Sequence, residues 1–146
     1  MERSSHPLLA LTDGIATRAA DPVLLVGRVL LGGLFLMTVW SGGPSTDYLK
    51  SLGYPAPAAM SVFAHVLEWS IGVSLLLGIA TRYGALLAIV FVVIAFGTAH
   101  LYWKFPQAAQ SLQFTLLSKD LAIAGGLLLL FVTGAGRLSV DEKLKR

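Results

Sequence analysis

The sequence predicts an all-α membrane protein, a four-transmembrane-helix antiparallel bundle with its N and C termini cytoplasmic. Composition is the first reason: of 146 residues, 55% are hydrophobic and only 13% charged, and the mean hydropathy of +0.75 is far from that of soluble domains. The second is that the apolar residues gather into four blocks, each about as long as the 20 residues a helix needs to cross about 30 Å of hydrocarbon. The third is the distribution of Lys and Arg. With loops alternating across the bilayer, one side carries Arg3, Arg18, Arg82, Arg137, Lys143, Lys145 and Arg146, and the other only Lys50 and Lys104. Such an excess marks the cytoplasmic face.

Taken in order, residues 1–21 place Leu8, Leu11, Ile15 and Ala19 three or four apart behind Ser5, a residue type that caps helices. That pattern fits a short interfacial helix on the cytoplasmic side, with an unstructured segment as the alternative. The first span covers 22–41 and ends at Gly42-Gly43-Pro44, where proline cannot continue the helix. Residues 45–52 can form one or two helical turns before Gly53 and Tyr54-Pro55-Ala56-Pro57. The second span, 58–80, and the third, 83–103, are joined only by Thr81 and Arg82, which demands a tight antiparallel hairpin. The fourth span, 113–133, stops at Gly134-Ala135-Gly136. The domain organisation expected is therefore an N-terminal segment 1–21, a membrane domain 22–135 and a basic cytoplasmic tail 136–146.

Several function classes drop out. The net charge of +3 comes from scattered residues, except for Lys143, Lys145 and Arg146, which suit anionic lipid head groups better than nucleic acid. There is no cysteine, so the chain supplies no disulfide, CxxC pair, thiolate nucleophile or cysteine-ligated cluster. Leu8 to Ala16 is broken by Asp13 and is too short and polar for the apolar core of a cleavable signal. No GxGxxG, GK[ST], HExxH or GxSxG motif occurs, which argues against hydrolases and nucleotide-driven pumps.

The informative residues are ionisable groups inside the spans: Arg28, Glu68, Lys119 and Asp120, two positive and two negative. A lone charge at the bilayer centre costs about 2.5–3.5 kcal/mol on insertion scales, so such residues face the bundle interior and pair. Arg28 lies about 9 Å in from the cytoplasmic side, within snorkelling reach of the head groups. Glu68 falls near the midplane, while Lys119 and Asp120 share an outer depth with His100 on the third span. His65 precedes Glu68 by three residues and so shares its helix face, with Trp69 beside them. Glu68, His65 and His100 can form a pocket for a proton relay or a quinone head group, lined or charge-balanced by Arg28, Trp69, Trp103, Lys119 and Asp120. The same groups can instead be a structural network holding helices in register. No metal site is expected, because a bundle metal site draws ligands from several helices.

An ordered series of segments resembles the DoxX family of small bacterial four-helix membrane proteins. It comprises Gly27-Arg-Val-Leu-Leu-Gly-Gly-Leu-Phe-Leu36, Tyr48-Leu-Lys-Ser-Leu-Gly-Tyr-Pro-Ala-Pro57, Glu68, Gly78-Ile-Ala-Thr-Arg82, His100-Leu-Tyr-Trp103, Lys119-Asp-Leu-Ala-Ile-Ala-Gly-Gly126 and Gly136-Arg-Leu-Ser-Val-Asp141. The chain departs from many relatives at Thr38-Val-Trp-Ser-Gly42, where they carry a lysine, and at Asp120, where they carry asparagine. The resemblance implies a multi-pass protein of the bacterial inner membrane. It also implies a place in quinone-linked redox or oxidative-stress assemblies, with a soluble redox partner protein and self-association as further expectations and quinone as the cofactor. If the chain is an enzyme, it would be a quinone-linked oxidoreductase subunit; the alternative is a non-enzymatic scaffold or small-molecule carrier.

Overall fold

The computed structural model describes residues 7–146, with side chains from residue 10 onward. All regular structure among these residues is helical, in the order α1 (Pro7–Trp40), α2 (Thr46–Ser51), α3 (Pro57–Leu77), α4 (Thr81–Ala99), a 3-10 turn at Tyr102–Lys104, α5 (Gln107–Thr133) and α6 (Val140–Lys143). Four of these helices, α1, α3, α4 and α5, are long and apolar enough to cross a membrane. Their outward faces carry large apolar side chains such as Leu30, Phe63, Val90 and Leu129, the arrangement expected where hydrocarbon replaces water as solvent.

Four details depart from the sequence expectation. The segment before Pro22 is not a separate interfacial helix, because α1 runs unbroken through Pro22. Proline removes one hydrogen-bond donor, and an apolar helix tolerates that loss where neighbouring groups take up the freed carbonyl. Leu11 and Ile15 lie exposed along this helix, while Ser5, Arg3 and the Leu8 side chain fall outside the described residues. The hairpin turn is Gly78 to Ala80, with α4 already under way at Thr81. Further along, α4 ends at Ala99 and α5 begins at Gln107, so hydropathy marked the hydrocarbon-crossing lengths and missed the helix ends. The tail is also more ordered than a solvated basic run, since Ser139 accepts from the Glu142 amide and starts α6.

Packing differs between the two halves of the bundle. The solid core lies in the half that the Lys and Arg distribution assigns to the cytoplasm, where Ile71 and Leu75 of α3, Ala85 and Ala88 of α4, and Leu127 and Leu130 of α5 bury together. Glycine sets the spacing there. A Cβ on Gly32 of α1 would lie 2.8 Å from the Gly72 carbonyl oxygen and 2.9 Å from the Leu76 nitrogen, so α1 and α3 touch backbone to backbone. At the same end, Gly84 of α4 leaves room for Ser74 of α3.

The C-terminal segment closes that end. The Asp141 carboxylate accepts the Ala80 amide at 2.6 Å and the Thr81 amide at 2.9 Å, and the Asp141 amide donates to the Gly78 carbonyl at 2.8 Å. The Arg137 amide donates to Asp21 of α1 at 2.7 Å, and Arg82 donates to the Val132 carbonyl at 3.1 Å. The tail thus fastens the hairpin to α1, while Arg82 ties α4 to α5.

Candidate functional site

The outer half of the bundle is built differently. Above Phe35 and Phe91, whose rings meet edge to face at 6.2 Å, the helices enclose a cavity of about 570 Å³, within the range of about 300–1,000 Å³ typical of small-molecule sites. Its walls are mostly apolar, with Leu34, Phe63, Leu67, Val90, Ile94 and Ile123 among the lining residues. The α2 connection roofs it on the outer side. Ser45 caps α2, Leu49 is buried beneath it, the Tyr48 hydroxyl donates to the Ala99 carbonyl at 3.5 Å, and the Tyr54 hydroxyl reaches Thr98 at 2.5 Å. Burial first, and then the neighbouring Tyr54, pushes the Tyr48 phenol above its ordinary pKa, so its hydroxyl keeps its proton.

Two acidic groups interrupt this apolar lining. Glu68, only 5% exposed, accepts a hydrogen bond from the Thr38 hydroxyl on α1 at 3.1 Å. Its other oxygen, Oε2, is buried without a partner. On the opposite wall Asp120 of α5 lies 3.8 Å from Nε2 of His100 and 4.0 Å from the Lys119 ammonium, and its Oδ2 also lacks a hydrogen-bond partner. His100 is oriented through Nδ1, 2.9 Å from the Gln113 side-chain oxygen. Since an amide oxygen accepts, that contact places the imidazole proton on Nδ1 and leaves Nε2 facing Asp120. A buried polar group without a partner costs about 1–3 kcal/mol, and both residues that bear one line the same cavity.

The residues singled out in the sequence therefore divide. Glu68, His100, Lys119 and Asp120 all line this cavity, whereas the remaining four lie elsewhere. His65 turns from Glu68 to the end of α1, with Nε2 2.9 Å from the Gly42 carbonyl and Nδ1 2.7 Å from the Ser61 carbonyl. Sharing a helix face did not bring the two together, because the Gly42-Gly43 turn offers the ring nearer acceptors. Trp69 and Trp103 are about half exposed on the outside of the bundle, with Trp103 edge-on to Tyr102 at 5.1 Å.

Arg28 lies at the far end, and it does not snorkel. It is completely buried, with Nη2 donating to the Leu138 carbonyl at 2.5 Å and Nη1 to the Leu75 carbonyl at 3.4 Å. The returning tail supplies the Leu138 acceptor and α3 the Leu75 one, and the tail covers the route to the head groups. Thr38, Gln113, Tyr48 and Tyr54 were missed, since neutral hydroxyls and amides carry no hydropathy signal strong enough to single them out. Thr38 does stand in the Thr38-Val-Trp-Ser-Gly42 stretch that departs from the family pattern.

A second cavity, of about 380 Å³, lies between the tail and the hairpin. Its acids are already engaged: Asp141 with two backbone amides, Asp21 with Arg137, and Glu142 with Lys145 at 3.9 Å. Among the described residues, no group of three or more His, Cys, Asp or Glu side chains gathers as metal ligands would.

The sequence is similar to those of known membrane proteins. The chain is 35% identical over 133 residues to the inner membrane protein YphA of Escherichia coli, covering 86% of this chain and 93% of that protein. It is 34% identical over 131 residues to the inner membrane protein YqjF of the same organism, covering 86% and 95%. A more distant likeness, 27% over 123 residues, is to the Surfeit locus protein 4 homolog of Schizosaccharomyces pombe, of which it covers 37%. No solved structure matches. The DoxX family model matches residues 23–101, a segment that holds Thr38, Glu68 and His100. With that match over more than half of the chain, four membrane-spanning helices and two inner-membrane relatives aligned over most of their length, this is a multi-pass inner-membrane protein that belongs to the DoxX family.

Proposed function

We propose that this protein is a membrane component of a quinone-linked redox or oxidative-stress assembly, and that the outer-half cavity receives a quinone head group. One observation carries the reading: an apolar cavity of about 570 Å³ is lined by two carboxylates, Glu68 and Asp120, each with one buried oxygen free of any hydrogen bond. A flat ring with oxygens at its edges matches that lining, with apolar walls against its faces and polar groups at two points of its rim. A bound quinone supplies the chemistry of accepting two electrons and two protons. The chain's own residues bind, orient and deliver protons. Glu68, steadied by Thr38, and the His100–Asp120 pair hold protons on opposite walls. Lys119 offsets the carboxylate charge, and the Tyr48–Tyr54 roof keeps outer water away. With no cysteine in the chain, the electrons come from a soluble redox partner.

The test is to purify the protein in lipid nanodiscs, identify bound molecules by mass spectrometry and titrate decylubiquinone. Glu68→Gln is expected to weaken decylubiquinone binding about tenfold, the loss of about 1.4 kcal/mol that removing one charge-assisted hydrogen bond implies. Absence of quinone from the preparation, together with an unchanged oxidant sensitivity of cells carrying Glu68→Gln, would refute the proposal.

A further inference from the structure

The cavity's walls and roof together define how a ligand reaches it. On the outer side the α2 connection is fastened by Tyr48 to Ala99, Tyr54 to Thr98, Ser61 to the Pro44 carbonyl at 2.8 Å and His65 to the Gly42 carbonyl. On the cytoplasmic side the packed core of Ile71, Leu75, Ala85 and Ala88, none of them solvent-accessible, fills the space between α3 and α4. Between roof and core, several of the apolar side chains that line the cavity are also exposed at the bundle surface. Phe63 of α3 is 59% exposed, and Val90 and Ile94 of α4 are 48% and 54% exposed, while all three line the cavity. On a helix that faces lipid, exposure means contact with acyl chains.

We infer that the cavity opens sideways into the hydrocarbon between the outer halves of α3 and α4, and that its ligand is a membrane-dissolved amphiphile. The polar head reaches Glu68 and Asp120, and an apolar tail stays in the bilayer beside Phe63, Val90 and Ile94. The polarity gradient supports this occupant: apolar at the mouth, acidic and hydrogen-bonding at the depth of Glu68, His100 and Asp120. Because α3 and α4 are joined by the short Gly78–Ala80 turn and locked by Ser74 against Gly84, they can part only at their outer ends. The inference builds on the quinone reading but concerns the route and the tail, so it is tested separately.

The chain's lack of cysteine allows single labels without background. Ala95→Cys on the cavity wall, Leu129→Cys on the lipid-facing surface of α5 and Lys50→Cys on the roof helix α2 are each coupled to bimane in nanodiscs. Quenching is then measured with mid-chain nitroxide lipid and with iodide. The expected pattern is that Ala95→Cys behaves as Leu129→Cys does, strongly quenched by nitroxide lipid and weakly by iodide, while Lys50→Cys shows the reverse. Tyr54→Phe leaves the Ala95→Cys pattern unchanged if the roof is not the entrance.

A second arm follows ligand kinetics. Val90→Trp at the mouth slows decylubiquinone association about tenfold, while Leu129→Trp does not, and tailless ubiquinone-0 binds more weakly than decylubiquinone. Iodide quenching at Ala95→Cys equal to that at Lys50→Cys, with little from nitroxide lipid, overturns the lateral route whatever the quinone titration gives. If neither quinone binds the unaltered protein but the nitroxide pattern holds, the quinone reading fails and the lateral opening stands for another tailed amphiphile.

Discussion

Replacing Asp141 by alanine removes a helix cap supplied from sixty residues away. The first turn of α4 follows Ala80, whose methyl group offers no acceptor; the Asp141 carboxylate takes that role for the Ala80 and Thr81 amides at 2.6 and 2.9 Å. Loss of a capping acceptor costs about 0.5–2 kcal/mol, and the second stranded amide adds about 1 kcal/mol, for a total of about 1.5–3 kcal/mol. Burial raises the pKa of this carboxyl, but hydrogen bonds from the Thr81 and Ala80 amides, with the Thr81 side chain and Lys145 nearby, outweigh it and hold the group below its ordinary value. A carboxylate depressed in the folded state contributes stability that is fully present above its ordinary pKa of about 3.9 and is lost as pH falls through the lower folded value. Reversible unfolding by SDS titration in mixed micelles, followed by circular dichroism, measures the effect. At pH 7 Asp141→Ala is expected to lose about 1.5–3 kcal/mol, and Asp141→Asn, which keeps one acceptor oxygen, about half of that. The gap to the unaltered protein should narrow as pH drops below about 4. Unfolding of Asp141→Ala within about 0.5 kcal/mol of the unaltered protein at pH 7, the range of an uninvolved surface substitution, would refute the capping argument.

Two further predictions use the same unfolding assay. Adjacent glycines of α1 should respond oppositely: Gly32→Ala drives a methyl into the Gly72 and Leu76 backbone, an overpacking cost of about 1–3 kcal/mol that exceeds the gain of at most about 1 kcal/mol from helix propensity. Gly33→Ala meets nothing within 4 Å and should be neutral or slightly stabilising; equal effects at the two positions would contradict the backbone contact of α1 and α3. His65→Ala should cost about 1–2 kcal/mol by releasing the Gly42 turn from α3 while leaving decylubiquinone affinity unchanged, because the ring does not line the cavity. A tenfold loss of affinity there would return His65 to the site.

The spans were legible because bilayer thickness imposes a length that hydropathy reports directly, as with the apolar blocks that became α3 and α5. Helix continuity was less legible. Pro22 reads as a boundary by its chemistry, yet α1 passes through it, and Asp21 beside it is held by the Arg137 amide, a tertiary contact that no local pattern announces. The buried charges were legible one at a time but not as partners. The sequence sum of two positive and two negative groups suggested mutual neutralisation, whereas Arg28 lies at the opposite end of the core from Glu68 and Asp120. His100 and Asp120 met because matching depths on neighbouring helices bring residues together. His65 and Glu68, close in sequence, separated because the His65 ring lies between the Ser61 and Gly42 carbonyls, and its one N–H donates to a carbonyl there.

That division of the charges bears on whether the buried polar groups are structural or functional. A structural network fills its space and closes its hydrogen bonds, since a half-satisfied polar cluster is worse for stability than an apolar one. Arg28 fits that description except at Nε, which is buried without a hydrogen-bond partner. Carbonyls from α3 and the tail accept from it, and no room remains around it, for a Cβ on Gly78 would collide with the guanidinium. Glu68 and Asp120 are the opposite case: a volume stands open beside them, each keeps an oxygen unbonded, and Lys119 next to them is half exposed. Filling that volume with two more apolar side chains would have been the simpler way to stabilise a bundle. The inner half, with Ile71, Leu75, Leu127 and Leu130 buried together in one cluster, shows that the same helices can do so. Retaining acidic groups at an unfilled outer cavity while the inner half packs solid is what a binding site requires and a helix register does not, and this contrast favours the ligand-binding reading over the structural one.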